Sequence, residues 1–220
     1  MNVAAKANIP LWFKLSYTAF CAVLVPTYLV AYGPTNFLYF CDVALLTTLA
    51  AIWLESPLLA SAPAVGILLP QALWVVDFIA TAVGVPLTGM TGYMFDARLP
   101  LFTRGLSFFH FWLPFVLAWL VWRLGYDRRA FAVWTVAAWA LLSVCYFLMP
   151  APPAVDGNLP VNINYVFGLS DAAAQDVMPG AMWFAMLLIG LPVVIFYPTH
   201  RLLLRYVAGR SAASIDASGI

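Results

Sequence analysis

Six apolar stretches, each about as long as a membrane-spanning helix, constrain the fold of this chain more than any other feature. Of its 220 residues, 65% are hydrophobic and 9% are charged, whereas about a quarter of the residues in soluble domains are charged. A helix crosses a bilayer with about 20 apolar residues. The sequence therefore predicts an all-α polytopic membrane protein, a six-transmembrane-helix bundle that forms one domain over residues 1–220. The predicted spans are 15–32, 37–54, 63–85, 105–122, 130–149 and 180–197.

The distribution of lysine and arginine predicts the orientation of these spans, because basic loops are retained on the cytoplasmic side of a membrane. Placing the N-terminus in the cytoplasm puts eight of the ten basic residues on that side. An even number of spans then puts the C-terminus there as well. No cleavage site follows the first apolar run cleanly, so we interpret that run as the first helix of the mature protein. The eight cytoplasmic residues are Lys6, Lys14, Arg123, Arg128, Arg129, Arg201, Arg205 and Arg210, and the two outer residues are Arg98 and Arg104.

Two connections on the outer side are too long to be simple turns. They cover residues 86–104 and 150–179 and are rich in glycine and aromatic residues. Two interpretations stay open: the loops fold down over the bundle as a lid, or they lie on the lipid headgroups. Asn162 and Asn164 belong to the second loop, and we regard both as candidate substrate-binding residues.

Three ionisable residues lie inside apolar stretches: Asp42 in the second, Asp77 in the third and His110 in the fourth. A charged side chain within the hydrocarbon layer costs about 3 kcal/mol or more, and it is a functional candidate by default. Counting about 1.5 Å per residue from the outer ends places all three about 8–12 Å below the outer boundary. The sequence therefore predicts that three different helices bring ionisable groups to one layer.

Contact among these three groups is expected, because an isolated carboxylate in hydrocarbon takes up a proton instead of staying charged. A carboxylate beside an imidazole orients one ring nitrogen and leaves the other free as a general base. We therefore predict a catalytic site in which His110 is the base and Asp42 or Asp77 orients it. The alternative is a structural polar cluster that fixes helix packing without chemistry. Further candidates near this layer are Tyr39 and Cys41 as catalytic residues, and Asn36 and Ser107 as substrate-binding residues.

Several classes of site are disfavoured by the composition. The three cysteines lie in apolar runs and form no CxxC motif, and the chain has two histidines, which gives no pattern for a zinc site. A net charge of +1 gives no reason to expect nucleic acid. We therefore predict no metal and no cofactor, and we expect membrane lipids as the first partners.

Most of the chain resembles a bacterial group described as membrane-associated proteins, which implies a location in the bacterial inner membrane. The group has no activity that the resemblance brings to this chain. The segments that carry the resemblance are 32–38 (YGPTNFL), 54–61 (LESPLLAS), 93–96 (YMFD), 125–129 (GYDRR) and 162–164 (NIN).

A fainter resemblance is to the six-span androgen-induced-gene hydrolases, which cleave fatty-acid esters of hydroxy fatty acids inside the membrane. It rests on residues 37–42 (FLYFCD) and on residues 110–115 (HFWLPF). Those hydrolases use a threonine nucleophile in the first motif and a histidine in the second. His110 matches the histidine, and Tyr39 stands at the position of the threonine.

Three functions are consistent with the sequence. The first is an intramembrane lipid hydrolase or acyltransferase, in which Tyr39, Cys41 or Ser107 supplies the nucleophile or an oxyanion donor. The second is a non-catalytic subunit or scaffold of a membrane complex, with other membrane subunits as its partners. The third is a small-molecule or proton-coupled transporter, which the lack of an internal sequence repeat disfavours. A closed cavity at the depth of His110 favours the enzyme, direct packing favours the scaffold, and a continuous water path favours the transporter.

Overall fold

The computed structural model describes residues 9–153 and 160–217, with side chains described as far as Val207. Every regular element in those residues is helical, which confirms the predicted all-α class. Lys6 and the side chain of Arg210 lie outside the described residues. In chain order the elements are α1 (Leu11–Tyr32), a 3₁₀ turn (Pro34–Leu38), α2 (Phe40–Leu54), α3 (Pro57–Ala82), a 3₁₀ turn (Gly92–Phe95), α4 (Leu101–Ser107), α5 (Phe109–Leu124), α6 (Ala130–Leu148), a 3₁₀ turn (Ile163–Tyr165), α7 (Gly180–Gly190), a π-helical turn (Leu191–Phe196) and α8 (Tyr197–Ala217).

Five helices in the described residues are long and apolar enough to cross a membrane, so the chain is a membrane-embedded protein. Two of the five are composite. One joins α4 to α5, and the other runs from α7 through the π-helical turn into α8. The five helices are Leu11–Tyr32, Pro57–Ala82, Leu101–Leu124, Ala130–Leu148 and Gly180–Val207.

Helix α2 is shorter than the span predicted over residues 37–54. It has 15 residues, and a helix of that length is about 22 Å long at about 1.5 Å per residue. The helix starts late because Tyr39, with a ψ angle of 138°, adopts an extended conformation between the 3₁₀ turn and Phe40. Length and composition alone therefore do not identify α2 as the sixth span.

The other predicted boundaries shift for local reasons. Helix α3 begins at Pro57, six residues before the predicted start, because the Ser56 hydroxyl accepts a hydrogen bond from the Leu59 N–H at 3.3 Å. Serine is a favoured helix-capping residue, and proline is favoured in the first turn. The last helix continues well beyond the predicted end at residue 197. Pro192 has no N–H to donate, and it lies in the π-helical turn through which the helix continues.

Helix α3 lies at the centre of the bundle and packs on α2, α5, α6 and α8. Gly66 allows α6 to approach closely, because a Cβ atom at this position would overlap the indole ring of Trp134. Within the 18-residue apolar segment of α3, 56% of the residues are buried inside the bundle. In the corresponding segment of the last helix, 6% are buried. The last helix therefore lies at the periphery of the bundle.

One end of the bundle, which we call the turn end, carries the short turn between α2 and α3. Glu55 in this turn accepts hydrogen bonds from the Ile9 N–H at 3.2 Å and from Lys14 Nζ at 2.8 Å. These contacts fix the beginning of α1 to the α2–α3 turn. At the same end, the Tyr126 hydroxyl lies 2.6 Å from His200 Nδ1 and links the α5–α6 connection to α8.

The opposite end, which we call the loop end, carries the connections 83–100 and 149–179. The first connection contains the 3₁₀ turn Gly92–Phe95, and the second contains the 3₁₀ turn Ile163–Tyr165. A separate apolar cluster underlies the second connection and joins it to α6. Its buried members are Leu142, Cys145, Ile163 and Val166.

Candidate functional site

Asp77 is fully buried on α3, and its carboxylate binds the connection that follows its own helix. Oδ1 accepts hydrogen bonds from the backbone N–H groups of Leu87 and Thr88 at 2.9 and 2.7 Å. Oδ2 accepts from the backbone N–H of Thr91 at 3.1 Å and from the Thr91 hydroxyl at 2.6 Å. Hydrogen bonds to an ionised acceptor are about twice as strong as neutral ones. Asp77 is therefore an anchor that holds residues 87–91 against the bundle.

The predicted contact among Asp42, Asp77 and His110 is absent from the described residues, where no hydrogen bond or ion pair joins any two of them. All three lie near the loop end of their helices. Each side chain has its own partners, and those of Asp77 come from the following connection. Depth along a helix thus predicted which end of the bundle the three residues lie near, but it did not predict their contacts.

Asp42 lies in the first turn of α2 and is 3% exposed. Its Oδ2 accepts long hydrogen bonds from Asn36 Nδ2 at 3.5 Å and from Cys41 Sγ at 3.6 Å. Its Oδ1 has no hydrogen-bond partner among the described residues. A carboxylate at a helix N-terminus is stabilised by the helix dipole, but an unpaired buried oxygen remains costly.

His110 lies in the first turn of α5, and its ring is held on both sides. Nδ1 lies 2.7 Å from the carbonyl oxygen of Ser107. Because a carbonyl only accepts, Nδ1 carries the hydrogen and Nε2 is the bare acceptor. The ring stacks on Trp74 with centroids 5.2 Å apart and lies 4.1 Å from the ring of Phe109. A backbone carbonyl therefore orients His110 where a carboxylate was predicted.

Ser107 is the last residue of α4, and its side chain lies near Tyr28 and Tyr93, two residues that the sequence did not indicate as candidates. Its hydroxyl lies 2.6 Å from the Tyr28 hydroxyl of α1. Tyr93, in the first connection, reaches the same place. Burial raises the pKa of the Tyr93 phenol, the side chains of Trp74 and Ser107 lower it through hydrogen bonding, and the charge of Asp42 raises it. We define the polar cluster as Tyr28, Trp74, Tyr93 and Ser107.

Tyr39 has a mainly structural environment. Its carbonyl oxygen accepts hydrogen bonds from the N–H groups of Asp42 and Val43 at 3.1 and 3.0 Å, which closes the first turn of α2. Its side chain packs on the apolar cluster under the second connection. Cys41 also lies at this helix end, where its thiol donates to Asp42.

Asn164 caps the interrupted start of α2. Its Oδ1 accepts a hydrogen bond from the Phe40 N–H at 2.9 Å, and its Nδ2 donates to the Leu38 carbonyl at 2.8 Å. The same Nδ2 lies 3.5 Å from Cys145 Sγ. Asn164 has a φ angle of 58°, in the left-handed region that asparagine tolerates better than most residues. The amide of this predicted substrate-binding residue is thus occupied by backbone groups.

Asn162 closes the second connection on itself. Its Oδ1 accepts from the Phe167 N–H at 2.8 Å, and its Nδ2 donates to the carbonyls of Gly168 at 2.9 Å and Ser170 at 3.1 Å. Nδ2 also lies 3.3 Å from Asp171 Oδ1. Burial raises the pKa of the Asp171 carboxyl, and the hydrogen bond from Asn162 lowers it. Asn162 therefore stabilises the shape of the loop.

Metal binding has no candidate group in the part of the chain that the structure describes, where no three His, Cys, Asp or Glu residues lie together. A cavity of about 320 Å³ lies at the turn end, at the opposite end of the bundle from the polar cluster. It is lined by Ile9, Pro10, Leu11, Lys14 and Trp53.

Sequence reasoning missed Tyr28, Trp74, Thr91 and Tyr93. Trp74 precedes Asp77 by three residues on α3, a spacing that places both on one side of a helix. That spacing was a usable signal, but nine tryptophans and ten tyrosines in the chain obscure it. Thr91 gave no signal, because only the path of the connection brings it to Asp77.

No protein-family model, curated protein or solved structure matches this chain. The two resemblances seen in the sequence stay predictions.

Replacing Asp77 by asparagine should release residues 87–91 from the bundle. An amide has one accepting oxygen, so Asp77→Asn leaves some of the four hydrogen-bond donors to Asp77 without an acceptor. Each hydrogen bond to a charged group that is lost costs about 1.5–3 kcal/mol. We expect a lower thermal midpoint and faster hydrogen exchange at the Leu87, Thr88 and Thr91 amides. Asp96→Asn is the matched control, because Asp96 pairs with the neighbouring Arg98 at an exposed position. Equal amide exchange in the two variants would remove Asp77 as the anchor.

Proposed function

We propose that the chain crosses the membrane six times, with α2 as the additional span. Support comes from the 3₁₀ turn Pro34–Leu38, which precedes α2 and extends the apolar segment to residues 34–54. A helix shorter than the hydrocarbon layer is accommodated by local thinning of the bilayer, and polar groups that are satisfied inside the bundle are tolerated at membrane depth. Both termini then lie on one side.

The turn end is the cytoplasmic end in this proposal. Of the basic side chains that the structure describes, Lys14, Arg123, Arg128, Arg129, Arg201 and Arg205 belong to the turn end, and Arg98 and Arg104 belong to the loop end. Basic residues accumulate on the cytoplasmic side. The loop end is accordingly extracytoplasmic, and the bacterial inner membrane is the proposed location.

We propose that the protein is a non-catalytic scaffold subunit of a membrane complex. The observation that carries this proposal is the use of the polar residues. The side chains of Asp77 and Asn162 form hydrogen bonds with the backbone of the two long connections. Asn164, in the second connection, bonds the backbone before α2. A buried polar group that is fully bonded inside the fold stabilises one conformation of that fold. The polar residues thus hold two loops in fixed positions.

The two fixed loops present apolar side chains outward. Leu169 and Val177 in the second connection are 80% and 83% exposed, and Val85 and Leu87 in the first are 60% and 57% exposed. Exposed apolar side chains that lie together are typical of a protein or membrane interaction site, and we propose that these four belong to such a surface. In this proposal, a neighbouring membrane subunit binds this fixed apolar surface, and membrane lipids cover the remaining exposed apolar faces of the helices.

A lipid hydrolase or acyltransferase is the second candidate, and one observation favours it. The Ser107 carbonyl fixes His110 in the tautomer whose Nε2 is free to accept a proton. An oriented neutral imidazole is the usual general base. The resemblance to the six-span hydrolases selects the same histidine.

Membrane topology is tested by single cysteines in a background in which Cys21, Cys41 and Cys145 are replaced by alanine. Arg98→Cys should react with an impermeant maleimide in intact spheroplasts. Leu54→Cys and Arg128→Cys should react only after lysis, because both positions belong to the turn end. Labelling of Leu54→Cys from outside would contradict the sixth span.

The scaffold proposal is tested by photo-crosslinking in native membranes. A photoreactive amino acid at Leu169, in the second connection, should give a discrete protein adduct. The same amino acid at Val30, which is 90% exposed on α1, should give lipid adducts because that face belongs to a span. Lipid adducts alone at Leu169 would count against a protein partner.

The catalytic alternative is tested by fatty-acid release from ester lipids in nanodiscs that contain the purified protein. A scaffold should release no more fatty acid than empty nanodiscs do. Release that disappears in His110→Asn but persists in Asn162→Gly would establish the hydrolase instead. Both variants change a polar side chain at the loop end, and only His110→Asn removes the imidazole, so the comparison separates catalysis from stability.

A further inference from the structure

The turn end of the last helix carries two arginines on one exposed face. Tyr197, Arg201 and Arg205 follow one another at intervals of four residues along α8, a spacing that places them on the same side of a helix. All three side chains are exposed. The guanidinium carbon of Arg201 lies 6.0 Å from the centre of the Tyr197 ring. This face therefore combines an aromatic ring with two positive charges.

A third arginine comes from the connection between α5 and α6. The Tyr126 hydroxyl lies 2.6 Å from His200 Nδ1, so this connection is joined to α8 at the residue before Arg201. Arg128 is exposed and follows Tyr126 by two residues. Its charge and that of Arg201 both act on the His200 ring. We call Arg128, Arg201 and Arg205 the arginine patch.

The arginine patch has no counter-charge in the part of the chain that the structure describes. None of its three side chains forms an ion pair there. The two acidic side chains described at the turn end already pair with other bases, Glu55 with Lys14 and Asp127 with Arg129. Membrane orientation explains why basic residues collect at this end. It does not require that unpaired arginines share a helix face with an aromatic ring.

The length of the last helix places this face in the headgroup layer. The helix Gly180–Val207 has 28 residues, about 42 Å at about 1.5 Å per residue, whereas the hydrocarbon core is about 30 Å thick. Arg201 and Arg205 lie near the end of this helix. Toward its middle, Ile189 and Val193 are exposed. A lipid whose headgroup contacts the arginines can therefore lay its acyl chains along aliphatic side chains of the same helix.

We propose that the arginine patch binds the phosphate of an anionic glycerophospholipid in the leaflet at the turn end of the bundle. A guanidinium group is planar and can donate two parallel hydrogen bonds to a phosphate. Basic groups at the ends of membrane spans bind anionic headgroups in the same way. Free phosphate would use the same guanidinium groups but would not cover the aliphatic side chains. The site is independent of whether the protein is a scaffold or an enzyme.

Lipid selectivity is measured by native mass spectrometry of the delipidated full-length protein in a non-ionic detergent. The protein is titrated with phosphatidylglycerol or with phosphatidylcholine that has the same acyl chains. Both lipids contain a phosphodiester, but only phosphatidylglycerol has a net negative charge, so we expect it to bind more tightly. Equal affinities for the two lipids would overturn the proposal. Displacement of phosphatidylglycerol by an equal concentration of inorganic phosphate would assign the patch to free phosphate and also overturn it.

Substitutions locate the site within the turn end. Arg201→Gln and Arg205→Gln should each lower the affinity for phosphatidylglycerol about tenfold, because each removes a charge-assisted hydrogen-bonding group. Arg128→Gln should act in the same direction. The affinity for phosphatidylcholine should stay constant in each variant, which shows that the protein is still folded.

Arg129→Gln is the matched control. It removes the same charge at the position next to Arg128, but the Arg129 guanidinium already pairs with Asp127 at 2.7 Å. The affinity of this variant for phosphatidylglycerol should be unchanged. Equal losses in Arg129→Gln and in the patch variants would indicate a diffuse attraction to the whole turn end, and the proposed site would then be wrong.

Discussion

A single buried carboxylate organises the loop end of this protein. In a bundle with few charges, the backbone groups of a connection that folds against the helices must find partners within the chain. Asp77 supplies them for residues 87–91 with both of its oxygens. The path of this connection in turn brings Tyr93 to Trp74 and Ser107, so the polar cluster depends on the same carboxylate.

The second connection follows the same rule with neutral groups. Asn164 binds the backbone on both sides of the break before α2, and Asn162 closes the loop around itself. An amide serves here because one side chain both donates and accepts. The two connections thus use different chemistry for the same purpose. Their apolar outer surface is fixed in place by polar groups hidden beneath it.

The sequence predicted the helical class and most helix positions because length and hydropathy determine both. It also placed Asp42, Asp77 and His110 near one end of their helices. It could not predict their contacts, since the donors to Asp77 come from a connection without periodicity, and the partner of His110 Nδ1 is a backbone carbonyl. The late start of α2 was missed for a similar reason: the amide of Asn164, more than a hundred residues away, bonds the backbone at that start.

The rest of the chain covers less of the last helix than of the other four long helices, and 6% of its 18-residue apolar segment is buried. A helix that is surrounded mostly by acyl chains is kept in place by the partitioning of its apolar side chains into the bilayer. Close packing against neighbouring helices contributes less. Its sequence is thus free to drift among aliphatic residues, whereas α3 is restricted at positions such as Gly66. Substitutions should therefore accumulate unevenly along this chain: the last helix should tolerate many of them, and α3 should tolerate few.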